Sequence, residues 1–230
     1  MRDINSKELC HENLGNEFNH AVSDYDTQRR VELLIDGFLK DIDLKDSQAL
    51  DVGCGLGFFS KRLTDLGSNV IACDIGPSLV ENTVKLAQCR GKVADALNLN
   101  DSFQQECFDL VISSECIEHT PAPKQAIISM IEVLKPGGYL VLSTPNLPWW
   151  PMVKLSTMLN ARPYNGYEKF STFGNIQRCL ENNGMEVIKM KGLHLFPFQL
   201  KLHRLSRFLD KHMQFAKICM INVCVIARKR

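Results

Sequence analysis

Residues 48–59 read QALDVGCGLGFF. Ala49, Leu50 and Val52 form a short apolar run around Asp51, and glycine then occupies 53, 55 and 57. The run predicts a buried strand ending at Gly53. The stretch FFSKRLTDLG (58–67) predicts a helix stopped at Gly67. Glycines between the two let the backbone turn tightly and approach a ligand without interference from a Cβ. The helix start behind them offers unpaired N–H groups and a partial positive charge.

Two details narrow the ligand. A dinucleotide fingerprint needs glycine at position 58, where this chain has Phe58, and no Gly-Lys-Ser/Thr follows to make a P-loop. Asp74 ends the next strand-like run, NVIACD (69–74), about 20 residues beyond the first glycine, where an acid bonds ribose hydroxyls. A nucleoside-containing ligand without a pyrophosphate fits better than a dinucleotide. Taken singly, Asp51 reads equally as a helix-start acid, Asp74 as an N-cap for the helix opened by Pro77, and Asp95 as a strand terminator. Together those readings leave the spacing unexplained.

Outward from this centre the chain alternates strand-like and helix-like stretches, the pattern of a parallel sheet with crossover helices. A helix is expected over 25–40, and further strands at GKVADA (91–96), FDLVISS (108–114) and YLVLSTP (139–145). A helix is expected from Lys124 to Leu134, followed by a turn at KPGG. A proline- and aromatic-rich segment, 146–170, places Trp149 and Trp150 in a loop. A helix over 172–183 and strands at MEVIKMKGL (185–193) and CMINVCVIARK (219–229) close the sequence.

Composition is ordinary for a globular chain, 45% hydrophobic and 23% charged. A net charge of +1 argues against a nucleic-acid surface spread over the molecule, and no Asn/Asp-Pro-Pro-aromatic motif follows the fourth strand. Charge is uneven: residues 1–50 hold eleven Asp/Glu against six Lys/Arg, and 189–217 hold seven Lys/Arg against one Asp. Nine cysteines without a C-x-x-C pair fit buried free thiols in a reducing compartment. With no apolar leader at the start and no spanning-length apolar run, the expectation is a soluble cytoplasmic protein.

Over residues 45–145 the sequence resembles the class I methyltransferase superfamily. The resemblance rests on the acid–glycine loop Asp51–Gly57, the acids Asp74 and Asp95, and the LKPGG stretch Leu134–Gly138. It implies an α/β, Rossmann-like, doubly wound and mostly parallel seven-stranded sheet with a late antiparallel strand. It implies S-adenosyl-L-methionine as cofactor and S-adenosyl-L-homocysteine as product. Gly53 and Gly55 would face the methionine portion, Asp74 the ribose, and Asp95 with Ala96 the adenine. Cys54, Gly57, Ile75 and Ser114 complete the expected set, with Tyr25 and Arg30 closing over it and the arginine near the cofactor carboxylate. The other reading of Arg30 is a solvated helix face. The division expected is one domain over 1–230, with a helical cap (1–45), a cofactor core (46–145) and a substrate lid with C-terminal strands (146–230).

After the fourth strand the chain reads Glu115-Cys-Ile-Glu118-His119. As one helical turn, 115–119 would put Glu115, Glu118 and His119 on one face. Such a set either binds a divalent ion or pairs His119 as base with Glu118 as its orienter. A plain polar turn before Pro121 is the third reading. The run E-x-x-E-H resembles the ubiquinone-biosynthesis O-methyltransferases, which implies a divalent ion such as Mg²⁺ at these three residues, holding a catechol-like hydroxyl.

The acceptor pocket is expected from 18–30, 145–170 and 195–215. Trp149 and Trp150 suit an apolar pocket or membrane contact. The stretch FQLKLHRLSRFLDKHMQF (198–215) suits an anionic membrane surface or, by a small margin, a lid or dimer helix with a solvated basic face. The function expected is methylation of a small-molecule hydroxyl, on a quinone precursor or related aromatic or apolar acceptor. The alternatives are a saccharide, lipid-linked or secondary-metabolite acceptor, or a non-catalytic cofactor-binding subunit.

Overall fold

The computed structural model describes residues 24–158, 168–196 and 202–230. The expected substrate-facing positions 18–23, 159–167 and 197–201 lie outside the described residues. In chain order the elements are α1 (Asp24–Leu34), β1 (Gln48–Val52), α2 (Phe58–Asp65), β2 (Asn69–Asp74), α3 (Pro77–Ala87) and β3 (Arg90–Val93). They continue with β4 (Phe108–Ser114), α4 (Pro123–Val133), β5 (Leu134–Pro145) and α5 (Trp150–Met158). Last come α6 (Phe173–Asn182), β6 (Met185–Leu193), α7 (His203–His212) and β7 (Asn222–Lys229).

The strands form one seven-stranded sheet in the order β3-β2-β1-β4-β5-β7-β6. Neighbours from β3 to β5 run parallel, and β7 lies antiparallel between β5 and β6. This is the α/β, doubly wound, mostly parallel architecture that the sequence implies. Alternate residues of each central strand feed opposite cores, as a sheet covered on both faces requires. Leu50, Val111 and Leu140 pack with Ile127 and Met130 of α4 and Ile176 of α6. Ala49, Leu110 and Val141 pack with Leu34 of α1 and Phe59 and Leu63 of α2.

Five boundaries differ from expectation, the first being α1, which ends at Leu34 rather than 40. The third strand ends at Val93 rather than 96, because Asp95 turns the chain: its Oδ1 accepts from Leu97 N at 2.9 Å. KPGG lies inside β5 as an irregularity, with Phe108 paired to Leu134 and Leu110 already paired to Tyr139. The last strand starts at Asn222, not 219, because the Asn146 side-chain amide takes the carbonyls of Ile218 and Met220 at 2.8 and 2.9 Å. Trp149 and Trp150 are not in an open loop. They join a 3₁₀ turn (Leu147–Trp149) to α5, with Pro151 in the first helical turn, where its missing N–H costs nothing.

Candidate active site at the carboxyl ends of the strands

The loop after β1 is built by backbone contacts. Gly53 N and Cys54 N both donate to the Cys73 carbonyl, at 2.8 and 3.0 Å, which ties the loop to the end of β2. Gly53, Gly55 and Gly57 all have positive φ. A Cβ on Gly53 would lie 2.4 Å from Cys116 Sγ, and one on Gly57 2.9 Å from Thr83 Oγ1. Gly55 is different: its nearest neighbour would be the Gly53 carbonyl at 3.9 Å. Two of these glycines permit close packing, and the third fronts open space.

One acid borders that space and a second holds the loop in shape. Asp74 accepts from Gly55 N at 3.2 Å and from Gly76 N at 3.0 Å, and burial pushes its carboxyl above the usual range. The helix after it is N-capped by Gly76 and not by Asp74, so the capping alternative falls away. Asp51 is buried and accepts from Ser60 Oγ at 2.6 Å, which fastens the loop to α2; burial pushes its pKa up to about 6. Cys54 is buried, and burial raises its thiol. Ile75 and Ala96 are half-buried at the ends of β2 and of the Asp95 turn. A glycine opening with the Asp74 carboxylate bonded at its edge fits a ligand carrying ribose hydroxyls, as S-adenosylmethionine does.

A second construction, made of side chains, lies beside it. Arg30 of α1 is buried, which overturns the solvated-face reading. Its Nη1 donates to Ser114 Oγ at 2.8 Å, and its Nε and Nη2 donate to Asp26 at 3.2 and 3.0 Å. Asp26 also lies 2.8 Å from Nε2 of the buried His194. Burial acts to raise the Asp26 carboxyl, but Arg30 and His194 outweigh it and hold it below the usual range. Ser114 Oγ meets Ser143 Oγ at 2.9 Å, and Ser143 donates to Glu115 at 2.9 Å. Thr144 donates to Glu118 at 3.1 Å.

The expected helical turn over 115–119 does not form. Glu115 has φ 52°, and only Ile117–His119 make a 3₁₀ turn. The left-handed step sends Glu115 toward β5, while Glu118 lies 1% exposed against Thr144. Burial and the neighbouring Glu118 push Glu115 up to about 8; burial does the same for Glu118. The expected divalent-ion set Glu115, Glu118 and His119 is not gathered in this arrangement: among the described residues no group of three His, Cys, Asp or Glu comes together as a ligand set. What remains is a pair. His119 is 26% exposed, and its Nε2 stands 3.9 Å from Glu118 Oε1.

Tyr25 faces the C-terminal region: its hydroxyl donates to the His203 carbonyl at 3.2 Å and its ring packs on His203. Trp149 donates to the Cys219 carbonyl at 2.9 Å, and Trp150 lies under Lys154. The sequence reading missed Asp26, His194, Ser143 and Thr144. Asp26 had a signal, four residues before Arg30 on the same helical face; His194 had none. Among the described residues no helix is long and apolar enough to cross a membrane.

Comparison with known proteins agrees with this geometry. Residues 50–142 match the family described as a methyltransferase domain. A ubiquinone biosynthesis O-methyltransferase of Rickettsia prowazekii is 30% identical over 173 residues, covering 71% of this chain and 69% of that protein. The protein of the same name from Coxiella burnetii is 28% identical over 174 residues, covering 70% of this chain and 72% of its own. The crystal structure of an S-adenosylmethionine-dependent methyltransferase from Mesorhizobium loti shares the fold, with TM-score 0.63 at 18% identity over 81% of this chain and 93% of that one. With the glycine loop, its acids and the strand order already in place, these matches show that the chain belongs to the class I S-adenosylmethionine-dependent methyltransferases.

Proposed function

We propose that the chain methylates a hydroxyl oxygen of a small apolar or aromatic acceptor, of the quinone-precursor kind that its relatives' names indicate. The observation that carries this reading is His119, partly exposed at the end of β4 with the buried Glu118 carboxyl 3.9 Å behind it. When bound, the cofactor supplies an electrophilic methyl group on a sulfonium.

The chain's own residues then divide the work. Gly55 would leave room for the methionine portion in the loop that Gly53 and Gly57 fold, Asp74 would hold the ribose hydroxyls, and Asp95 with Ala96 would border the adenine. Cys54, Ile75 and Ser114 line the same opening, and Asp51 keeps the loop in shape through Ser60. Arg30, held by Asp26, places positive charge at the end of β4, where it can face the cofactor carboxylate. His119 takes the acceptor's hydroxyl proton as general base, and Glu118, standing behind it, keeps the imidazole in place. Enclosure by α1 and by the described residues 146–158 and 168–170 would hold the acceptor oxygen in line with the methyl group. Lys169 N, donating to the Glu118 carbonyl at 2.8 Å, fastens the second of those stretches to the site. We read residues 1–230 as one domain divided as the sequence suggests, with 1–45 and 146–230 serving the acceptor.

The test joins binding to turnover. Calorimetric titration with S-adenosylhomocysteine should show binding that Asp74→Ala weakens about ten- to a hundredfold, the value of a charge-assisted hydrogen bond or two. His119→Ala should keep that binding and lower turnover on a hydroxylated aromatic acceptor about 10²–10⁴-fold. Unchanged turnover in His119→Ala would remove the base from this reading. Methylation confined to nitrogen or carbon acceptors would remove the hydroxyl.

A further inference from the structure

An amphipathic helix on a globular protein normally turns its apolar stripe inward. α7 does the reverse. Its buried residues are Ser206 and Asp210. Asp210 accepts from Leu195 N at 3.0 Å and from Arg29 of α1 at 3.1 Å. Arg207 forks onto Glu32 of α1 at 2.8 and 2.9 Å. Just past the helix, the Gln214 side chain bonds both the N–H and the carbonyl of Gly192 on β6, each at 3.0 Å. Polar groups thus fasten α7 to the body of the protein, and its apolar side chains are left outside. Phe208 is 59% exposed, with Leu202 and Leu205 exposed beside it. Phe215, 82% exposed, and Ile218 continue the stripe along the 3₁₀ turn Gln214–Cys219.

We propose that this face docks on an anionic lipid bilayer. At about 100° per residue, Leu202, Leu205, Phe208 and Leu209 fall within one third of the helix circumference, and Arg204 and Lys211 lie together along the edge beside Phe208. Both basic residues are exposed. The helix's single acid, Asp210, is buried against Arg29, so the outward surface of α7 is apolar flanked by positive charge. Apolar side chains standing out from a convex helix, with Lys or Arg alongside, match the boundary between acyl chains and anionic headgroups. The surface is distinct from the strand-end site, and its test does not depend on the acceptor.

The experiment is sedimentation of the full chain with vesicles of phosphatidylcholine alone and of phosphatidylcholine mixed with phosphatidylglycerol, at low and high salt. The expected result is binding to the mixed vesicles that salt weakens. Phe208→Ser combined with Phe215→Ser should weaken it about tenfold or more. Arg204→Gln combined with Lys211→Gln should weaken it about twenty- to thirtyfold. Both variants should keep the wild-type affinity for S-adenosylhomocysteine, which shows that they fold. No binding to either vesicle, equal binding to both, or binding indifferent to the phenylalanine pair overturns the proposal. A dimer in solution that the phenylalanine pair abolishes, without vesicle binding, assigns the face to a second copy instead.

Discussion

The two halves of the site are built from different materials. On the cofactor side, between β1 and β3, the geometry comes from the backbone: glycine N–H groups bond the Cys73 carbonyl and the Asp74 carboxylate. Around α1, β4, β5 and β6 it comes from buried side chains, in a chain of contacts from His194 through Asp26, Arg30, Ser114 and Ser143 to Glu115. Backbone bonds of this kind are inexpensive to bury and tolerant of side-chain identity. A buried ion pair gains stability only while both partners are present. The difference predicts that the side-chain half breaks through stability and the backbone half through shape.

The largest effect is expected at Asp26. Asp26→Ala leaves Arg30 buried without its carboxylate and should cost about 3–5 kcal/mol of unfolding free energy, read by denaturant melts. A loss below about 1 kcal/mol would mean that water or another group replaces the carboxylate, and the contrast between the halves would weaken.

Gly53→Ala comes next on the stability scale, at about 2–4 kcal/mol, because its Cβ meets Cys116 Sγ at a positive φ. Gly55→Ala has room for the Cβ and should cost only about 1–2 kcal/mol, the strain of its left-handed backbone. Its affinity for S-adenosylhomocysteine should nevertheless fall, since the new methyl projects into the open space. Equal affinity in Gly55→Ala and the wild type would place the ligand elsewhere.

Ser60→Ala sharpens the comparison from inside the loop. It removes the donor to a buried carboxylate and should cost about 1–3 kcal/mol. Replacing Asp51 as well, by Asn, should recover part of that loss.

The smallest effect is a pH dependence. The folded-state pKa of Asp51, about 6, lies above its ordinary 3.8, so the native state binds this proton more tightly than the unfolded chain does. The resulting stability is present below about pH 4 and is lost as pH rises through about 6. Glu115 and Glu118, raised to about 8, extend the same decline to higher pH. Thermal melts should therefore show it throughout, and Asp51→Asn should lessen its slope only between about 4 and 6. A slope unchanged in Asp51→Asn would assign the titration to other carboxyls.

Legibility in the sequence followed the same division. The loop from Asp51 to Gly57 and the acid at Asp74 sit within one strand–turn–helix–strand unit, where short-range spacing reports the geometry. The α1 helix, the strand cores and the start of α3 at Pro77 were legible for the same reason. Glu115, Glu118 and His119 looked like one face of a helix because i, i+3 and i+4 spacing presumes helical backbone. The positive φ at Glu115 broke that presumption, and no neighbouring residue announces it.

By itself the sequence determined the doubly wound sheet, the cofactor loop and the class of chemistry, because alternating apolar runs and glycine turns are local consequences of local residues. Only the tertiary structure decided that Arg30 turns inward to Ser114 and that Asp26 meets His194 from 168 residues away. It also decided that α7 presents its apolar side outward. Those outcomes depend on which buried charges find partners across the fold, and desolvation rewards such a pairing only once the sheet has brought the partners together.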